Sequence, residues 1–325
     1  MATETAGQLT ELGDGVYAID TPFEDVVNTV YFVDGDDGIT LVDTGVVDTP
    51  EQFIFPALDR VGKKPADIRR ILLTHGHMDH RGGVGHVLQE NAACELAVHP
   101  ADKSWVEDIE TYLDQMYGGL GPHWSIPAAF ANRIRHLYGT PTVTVTQTFE
   151  DGERITLGEG HTLSVHHIPA HSAGHVLFFH EEARVAMVGD AVQGYGFPLG
   201  DRPDLFPFYY SVEAYTHCLD LCERLEPTTL GTAHYGPCDP ARAKELIAAS
   251  REIRDEIHAV VEGVARQQPD VSLTAVIAAL RERYPRYMEG IQYIETGRAH
   301  MQELTRLGVA RPGSDRDTWE VPQGA

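Results

Sequence analysis

The stretch LLTHGHMDHRGG, residues 72–83, places His75, His77, Asp79 and His80 within six positions, directly behind an apolar run. Imidazole nitrogens and carboxylate oxygens are ligands of borderline divalent ions, zinc above all. On a strand, His75 and His77 point the same way, because side chains alternate with period two. In a loop just past a strand end, the next turn can bring Asp79 and His80 round to a neighbouring position. The stretch thus offers two half-sites and closes neither. A catalytic zinc takes about three protein ligands and keeps an open position, so further ligands must come from elsewhere. Candidates stand where loops follow expected strands: His171 in IPAHSAGH, Asp190 in VAMVGDAV, His234 in LGTAHYGP and Asp43 in LVDTG. Each alone is ordinary surface or turn chemistry. Their weight comes from several strand ends meeting at one edge of a sandwich, where sites are built.

The elements that must position these residues follow from the apolar pattern. GVYAID (15–20), NTVYFVDG (28–35) and GITLVDTG (38–45) each end in Gly or Asp turn chemistry and read as consecutive strands. A helix over 50–61 opens on proline, and IRRILLTHG (68–76) reads as a buried strand running into a loop. A helix after Gly83 and a strand at 94–100 continue the alternation. Residues 101–140 break it. They read as a helical insertion, one helix to about Tyr117 and another through Leu137, joined by the glycine-rich elbow GGLGPHW.

Strands resume at 142–148, 153–157, 162–168, 175–180 and 184–188. An aromatic loop (194–210), a helix (211–225) and a short strand (228–234) follow. Beyond Pro240 the chain turns helical over 240–266, 272–283 and 288–307, and ends in VARPGSDRDTWEVPQ, which suits a hairpin. Two blocks of strands, each followed by helices, predict an α/β sandwich of two sheets with helices outside. The expected division is a catalytic domain over 1–240 and a helical appendage over 241–325.

The 325-residue chain has a formal net charge of -24, and its only lysines are Lys63, Lys64, Lys103 and Lys244. A solvated acidic surface keeps a chain soluble and says nothing of fold. Adaptation to a salt-rich cytoplasm is the sharper reading, since screening weakens the repulsion among carboxylates. An acidic chain is also a poor nonspecific partner for nucleic acid or anionic membrane. The opening MATETAGQLTELGDGVYAID has no basic start followed by an apolar stretch, so no secretory signal is expected. No segment has the uninterrupted apolar length that a membrane span needs. Cys94, Cys218, Cys222 and Cys238 fit neither a paired zinc site nor a dense disulfide framework. A cytoplasmic protein with buried free thiols is expected.

THGHMDHRGG (74–83) resembles the His-x-His-x-Asp-His signature of the metallo-β-lactamase superfamily. LVDTG, PAHSAGH, VGDA and AHYG resemble its other four motifs, in the family's order. The resemblance covers about residues 13 to 240, with Ala170 and Tyr235 standing where glycine is common. It implies a four-layer αββα sandwich with two metals at one edge, most readily Zn2+, with Fe or Mn also compatible. By motif position His75, His77 and His171 would hold the first metal, and Asp79, His80 and His234 the second, with Asp190 bridging. Asp43 would orient the loop and a ligand, and His175 would be structural. Gly76 and the Gly82–Gly83 pair read as flexible backbone that lets one short loop face two ions.

Two such cations can share a water and bring its pKa near neutrality, which makes hydrolysis the expected reaction. Asp79 and Asp190 are the expected catalytic carboxylates. A bridging aspartate argues against antibiotic hydrolysis and resembles the glyoxalase II-like thioesterases, lactonases and ribonucleases of the superfamily. The acidic SREIRDEIH (250–258) speaks against glutathione as the carrier. Aromatic residues of the insertion and of 194–210, with Trp124, Tyr195, Tyr209 and Tyr210 foremost, would wall a small, partly apolar substrate such as an ester, thioester or lactone. The tail resembles a winged-helix-like appendage, read as a packing or homodimer element because acids interleave its arginines. An endoribonuclease or phosphodiesterase is the alternative reading, and an iron-dependent oxygenase-like enzyme the third. The charge balance carries its own test. Salt adaptation predicts a lower thermal midpoint by circular dichroism in about 0.05 M KCl than in about 2 M, and equal midpoints would refute it.

Overall fold

The computed structural model describes residues 6–322 apart from positions 25, 159 and 201, and leaves the side chain at 203 undescribed. The outermost residues of the two expected domain ranges, 1–5 and 323–325, lie outside it. The first sheet runs in chain order: β1 (Leu9–Gly13), β2 (Val16–Phe23), β3 (Val26–Gly35), β4 (Gly38–Val42), β5 (Ile68–Leu72), β6 (Glu95–Val98) and β7 (Gln147–Thr148). Its pairings are antiparallel as far as β4 and parallel from β4 to β7. Between its strands lie α1 (Phe55–Arg60), α2 (Met78–Arg81), α3 (Val84–Glu90), α4 (Lys103–Glu107), α5 (Ile109–Tyr117) and α6 (Ala128–Tyr138).

The second sheet contains β8 (Arg154–Thr156), β9 (Thr162–His167), β10 (Val176–His180) and β11 (Val185–Gly189). A hairpin of β12 (Phe197–Leu199) and β13 (Arg202–Leu205) leads to α7 (Val212–Leu225). The sheet is completed by β14 (Thr229–Thr232) and β15 (Gly236–Cys238), in the order β15-β14-β11-β10-β9-β8.

Period-two alternation explains the layers. Val176, Phe178, Val185 and Met187 face the first sheet and pack with Val16, Ala18, Tyr31 and Val33. Their neighbours Leu177, Phe179, Ala186 and Val188 face outward onto α7. On the far side Ile19, Val30, Phe32 and Leu41 meet Ala57, Leu58, Val84 and Val87 of α1 and α3. Strands covered on both faces read as near-continuous apolar runs, which is why β10 and β11 are VLFFH and VAMVG. The result is the αββα arrangement expected.

The C-terminal region is helical, as expected: α8 (Pro240–Gln267), β16 (Asp270–Ser272), α9 (Leu273–Arg283), α10 (Gln292–Arg306), β17 (Arg311–Pro312) and β18 (Thr318–Glu320). The strand β18 pairs with both β16 and β17, so helix, strand, two helices and hairpin follow in winged-helix order. This tail shares one apolar core with the insertion. Tyr112, Leu113, Met116 and Leu120 of the insertion pack with Ile257, Val276, Ile294 and Leu304.

Several short elements escape the periodicity reading. They are β1, β15, the β12–β13 hairpin inside the expected aromatic loop, and α2 inside the metal motif. The strand expected over 142–148 shrinks to β7, and the helix expected from residue 50 opens with a π-turn, Pro50–Ile54. Each is five residues or fewer, too short to show a period. All four cysteines are buried and free. Among the described residues, no helix is long and apolar enough to cross a membrane.

The hairpin is fastened by charge. Arg298 donates to both carboxylate oxygens of Asp317, at 2.8 and 3.0 Å, and to Glu295. Burial pushes the Asp317 carboxyl up, but Arg298, Arg316 and His123 outweigh it and hold the group below its usual range. A depressed folded-state pKa stabilises above the ordinary value and loses that contribution as pH falls through the folded one. Asp317→Asn is therefore expected to cost about 1–3 kcal/mol at neutral pH. In urea titrations the gap to wild type should close as pH drops below about 4.

Candidate metal centre

The strands of both sheets deliver their following loops to one edge. Past β5, His75 lies in the loop and His77 on extended backbone, and α2 then turns Asp79 and His80 into the same space. His171 follows β9, Asp190 follows β11, and His234 follows β14. All seven are buried, none more than 8% exposed.

Their donor atoms form two sets. His77 Nδ1 lies 3.0 Å from His75 Nε2 and 3.0 Å from His171 Nε2. One proton on Nδ1 cannot serve two acceptors at once, whereas a cation among three lone pairs satisfies all three. The second set is Asp79, His80, Asp190 and His234, and Asp190 belongs to both. One Asp190 oxygen is 3.3 Å from His171 Nε2 and 3.3 Å from His234 Nε2; the other is 3.4 Å from His80 Nε2. Asp79 Oδ2 lies 3.6 Å from His234 Nε2 and 3.8 Å from His80 Nε2. His80 Nε2 and Asp190 Oδ1 are buried with no hydrogen-bond partner. These residues fit a pair of divalent ions, in the two groups that the motif positions implied.

The electrostatics agree. Burial, reinforced by neighbouring imidazoles, pushes His75 and His77 well below the usual histidine range, which leaves their lone pairs free for a metal. Burial also pulls His80 and His234 down, but Asp43, Asp190 and Asp79 around the former, and Asp190 and Asp79 around the latter, raise both. Asp190 is held well below the carboxylate range by His234 and His80 despite its burial. The carboxylates of the second set thus favour positive charge among its imidazoles.

Outer hydrogen bonds to carbonyl or carboxylate oxygens fix the tautomer of three of the five rings, as metal-binding histidines require. His80 Nδ1–H donates to Asp43 Oδ2 at 2.8 Å, His171 Nδ1–H to Phe208 O at 2.8 Å, and His234 Nδ1–H to Val27 O at 2.8 Å. Asp43 also accepts from the Thr74 amide and hydroxyl, both at 2.8 Å. His175 stacks behind His75, with centroids 4.5 Å apart, and points Nε2 at Val188 O. It contributes no nitrogen to either set.

Two supporting residues were not singled out from the sequence. Asp102 is fully buried and accepts from Gly76 N (2.9 Å), Ser172 Oγ (2.5 Å) and Gly174 N (2.7 Å), joining the His75–His77 loop to the His171 loop. Gln193 donates to Asp190 O and Phe208 O and accepts from Phe208 N. Neither carries a local signal, because the partners of Asp102 lie on other loops and Gln193 bonds backbone groups, which carry no residue type. The glycine reading needs correction. Gly82 has helical angles, φ -58 and ψ -35, and a Cβ there would lie 2.4 Å from Leu137 O. What the motif needs from it is space, not flexibility.

A cavity of about 430 Å³ opens on Asp79, His77, His171, Asp190 and His234. Its other walls are mostly apolar: Tyr112, Tyr117, Trp124 and Phe130 from the insertion, Phe197, Leu199 and Leu205 from the β12–β13 hairpin, and Phe208. Of the four wall residues favoured from sequence, Trp124 lines the cavity and three do not. Tyr209 is buried in the core beneath, bonded to His300 and stacked on Tyr215. Tyr210 packs against the insertion–tail core, and Tyr195 lies outside, donating to Glu252. The segment 206–210 alternates its faces, so Tyr209 turns to the opposite core, and of Phe206, Phe208 and Tyr210 on the shared face Phe208 is the ring that lines the cavity. The sequence also missed the tail's share, Met288–Gln292 between α9 and α10.

The sequence signature of the Metallo-beta-lactamase superfamily matches residues 24–234, more than half of the chain. The chain belongs to this superfamily. It is 30% identical to a probable metallo-hydrolase of Bacillus subtilis (strain 168), over 53% of this chain and 54% of that one, so the match spans about half of that relative. It is 29% identical to a Homo sapiens acyl-coenzyme A thioesterase over 66% of this chain and 73% of that one. A beta-lactamase domain protein from Burkholderia ambifaria superposes with TM-score 0.71 at 18% identity, covering 98% and 94% of the two chains. A metallo-beta-lactamase family protein from Thermus thermophilus gives 0.68 at 20%, covering 96% and 100%. At such identities the superpositions speak for the fold alone.

Within this superfamily site, Asp190→Ala is expected to lower the metal content from about two ions per chain to about one or fewer. Elemental analysis after dialysis against metal-free buffer measures it, and a full complement in the variant would refute the bridge. Asp102→Asn should keep the ligands but weaken metal affinity by about 10–100-fold.

Proposed function

We propose that the chain is a dinuclear zinc hydrolase of the glyoxalase II-like type, cleaving thioesters or related esters and lactones of apolar acyl groups. One observation carries the reading: a mostly apolar cavity ends on the seven-residue donor set. The acyl-coenzyme A thioesterase among its relatives supports the same substrate class.

His75, His77 and His171 would hold one ion and Asp79, His80 and His234 the other, with Asp190 between them. Two such ions supply Lewis acidity toward the carbonyl oxygen and acidify water toward neutrality. Asp79 faces the cavity and can accept a hydrogen bond from the attacking water. Asp190 sets the spacing of the two halves. The Asp43, Phe208 and Val27 acceptors hold the imidazoles still, so little reorganisation accompanies reaction. The aromatic walls exclude bulk water and take the acyl group.

The endoribonuclease reading is disfavoured by the tail's charge pairing. Arg281, Arg283, Arg298, Arg306 and Arg316 each lie within 4 Å of a carboxylate, respectively on Glu289, Glu256, Glu295, Glu303 and Asp317. Cations so paired offer little to a phosphate backbone. The full dinuclear set disfavours a mononuclear iron oxygenase. Free buried thiols suit the cytoplasm, where we place the protein.

The wall contributed by the tail makes the substrate testable. A chelator should abolish hydrolysis of a decanoyl thioester and Zn2+ restore it. Ile291→Trp, which fills part of the cavity, should lower kcat/KM for decanoyl by at least about tenfold and for acetyl by less than about threefold. Steady-state kinetics on both chain lengths measures this. Activity in metal-free protein, or preference for RNA over every acyl substrate, would overturn the proposal.

A further inference from the structure

Directly beside the metal ligands lies a cation that the proposed chemistry does not use. Arg81 follows His80 in α2, and its side chain is fully buried. Its partners among the described residues are backbone carbonyls: Nη1 donates to Tyr138 O at 2.6 Å and Thr140 O at 3.0 Å, and Nη2 to Val106 O at 2.9 Å. The guanidinium carbon sits 3.6 Å from the Tyr138 ring centroid. A buried cation without a carboxylate is expensive unless negative partial charge meets it. Here Tyr138 O, the last carbonyl of α6, does so at the negative end of that helix, together with Thr140 O just past it and Val106 O of α4.

The same helix end is seated tightly on the metal loop. A Cβ at Gly82 would lie 2.4 Å from Leu137 O, which also accepts from Val47 N at 3.0 Å. Tyr138 OH reaches Trp105 O at 2.7 Å and Val106 O at 2.9 Å, and the Trp105 ring stacks over His77. So one planar fork spans α4 and α6, the framework that carries the cavity's aromatic roof. A lysine, with a single compact head, cannot reproduce that span.

We propose that Arg81 is a positioning residue: from the backbone next to a metal ligand it fixes the seat of the α4–α6 roof over the centre, and so sets the fit of the apolar substrate. Its kinetic arm rests on the thioesterase reading; its binding arm does not.

The experiment compares full-length, metal-loaded wild type with Arg81→Met, Arg81→Lys and Tyr138→Phe. It measures metal content, decanoate affinity by calorimetry, and kcat and KM for a decanoyl thioester. Arg81→Met is expected to retain wild-type metal content while Kd and KM rise roughly tenfold and kcat changes less than about threefold. Arg81→Lys should fall between, and Tyr138→Phe should shift both constants in the same direction by about two- to threefold. Unchanged Kd and KM in folded, metal-loaded Arg81→Met overturn the proposal, as does loss of metal with unchanged decanoate affinity. If Arg81→Met does not fold, unchanged constants in both other variants overturn it. Wild type that binds decanoate but cleaves no thioester refutes the thioesterase reading, and the Kd comparison still decides Arg81. Wild type that binds no decanoate overturns the role of the roof, and with it this proposal.

Discussion

Five imidazoles and two carboxylates cannot share a dry space unless positive charge lies among them. Ring nitrogens 3.0 Å apart, buried with no proton arrangement that satisfies them, are tolerable only as a ligand cage. Three of the rings, those of His80, His171 and His234, are aimed by a fixed acceptor behind them, and those acceptors, Asp43, Phe208 O and Val27 O, sit on different elements. A sandwich of two sheets covered on both faces supplies the stiffness this requires. The loops converge because the parallel strand pairs β4–β5 and β11–β14 send their carboxyl ends to the same edge.

The cavity has a different origin. Its roof belongs to the insertion, part of its wall to the tail, and these two share one apolar core. The tail is therefore continuous with the cavity, although Met288 stands far along the chain from every metal ligand. The cavity walls and the donor set rest on separate parts of the packing, joined through a few residues such as Asp102, Gln193 and Arg81. That separation lets a superfamily keep its centre while its walls change.

Legibility in the sequence followed the same division. The donor residues could be named because liganding is chemistry of side-chain type, and five short motifs carry those types at strand ends. The layers were readable because β10, β11 and their neighbours are long enough, and apolar enough, to declare themselves buried. Elements such as α2, β15 and the β12–β13 hairpin are too short to have a period to read. The walls were harder. Among FPFYY at 206–210, composition marks an aromatic patch, but which ring turns to the metals depends on the backbone bond from His171 to Phe208 O.

The sequence by itself determined the candidate donors, the order of the longer strands and helices, and the acidic balance, since these are properties of residue identity and local period. The tertiary structure alone decided that Phe208 lines the cavity while Tyr209 and Tyr210 do not, that Met288–Gln292 closes the cavity, and which distant groups Asp102 and Arg81 bond. Those relations join residues far apart in the chain through hydrogen bonds and packing, and no local pattern of residue types encodes which distant carbonyl a buried side chain will meet.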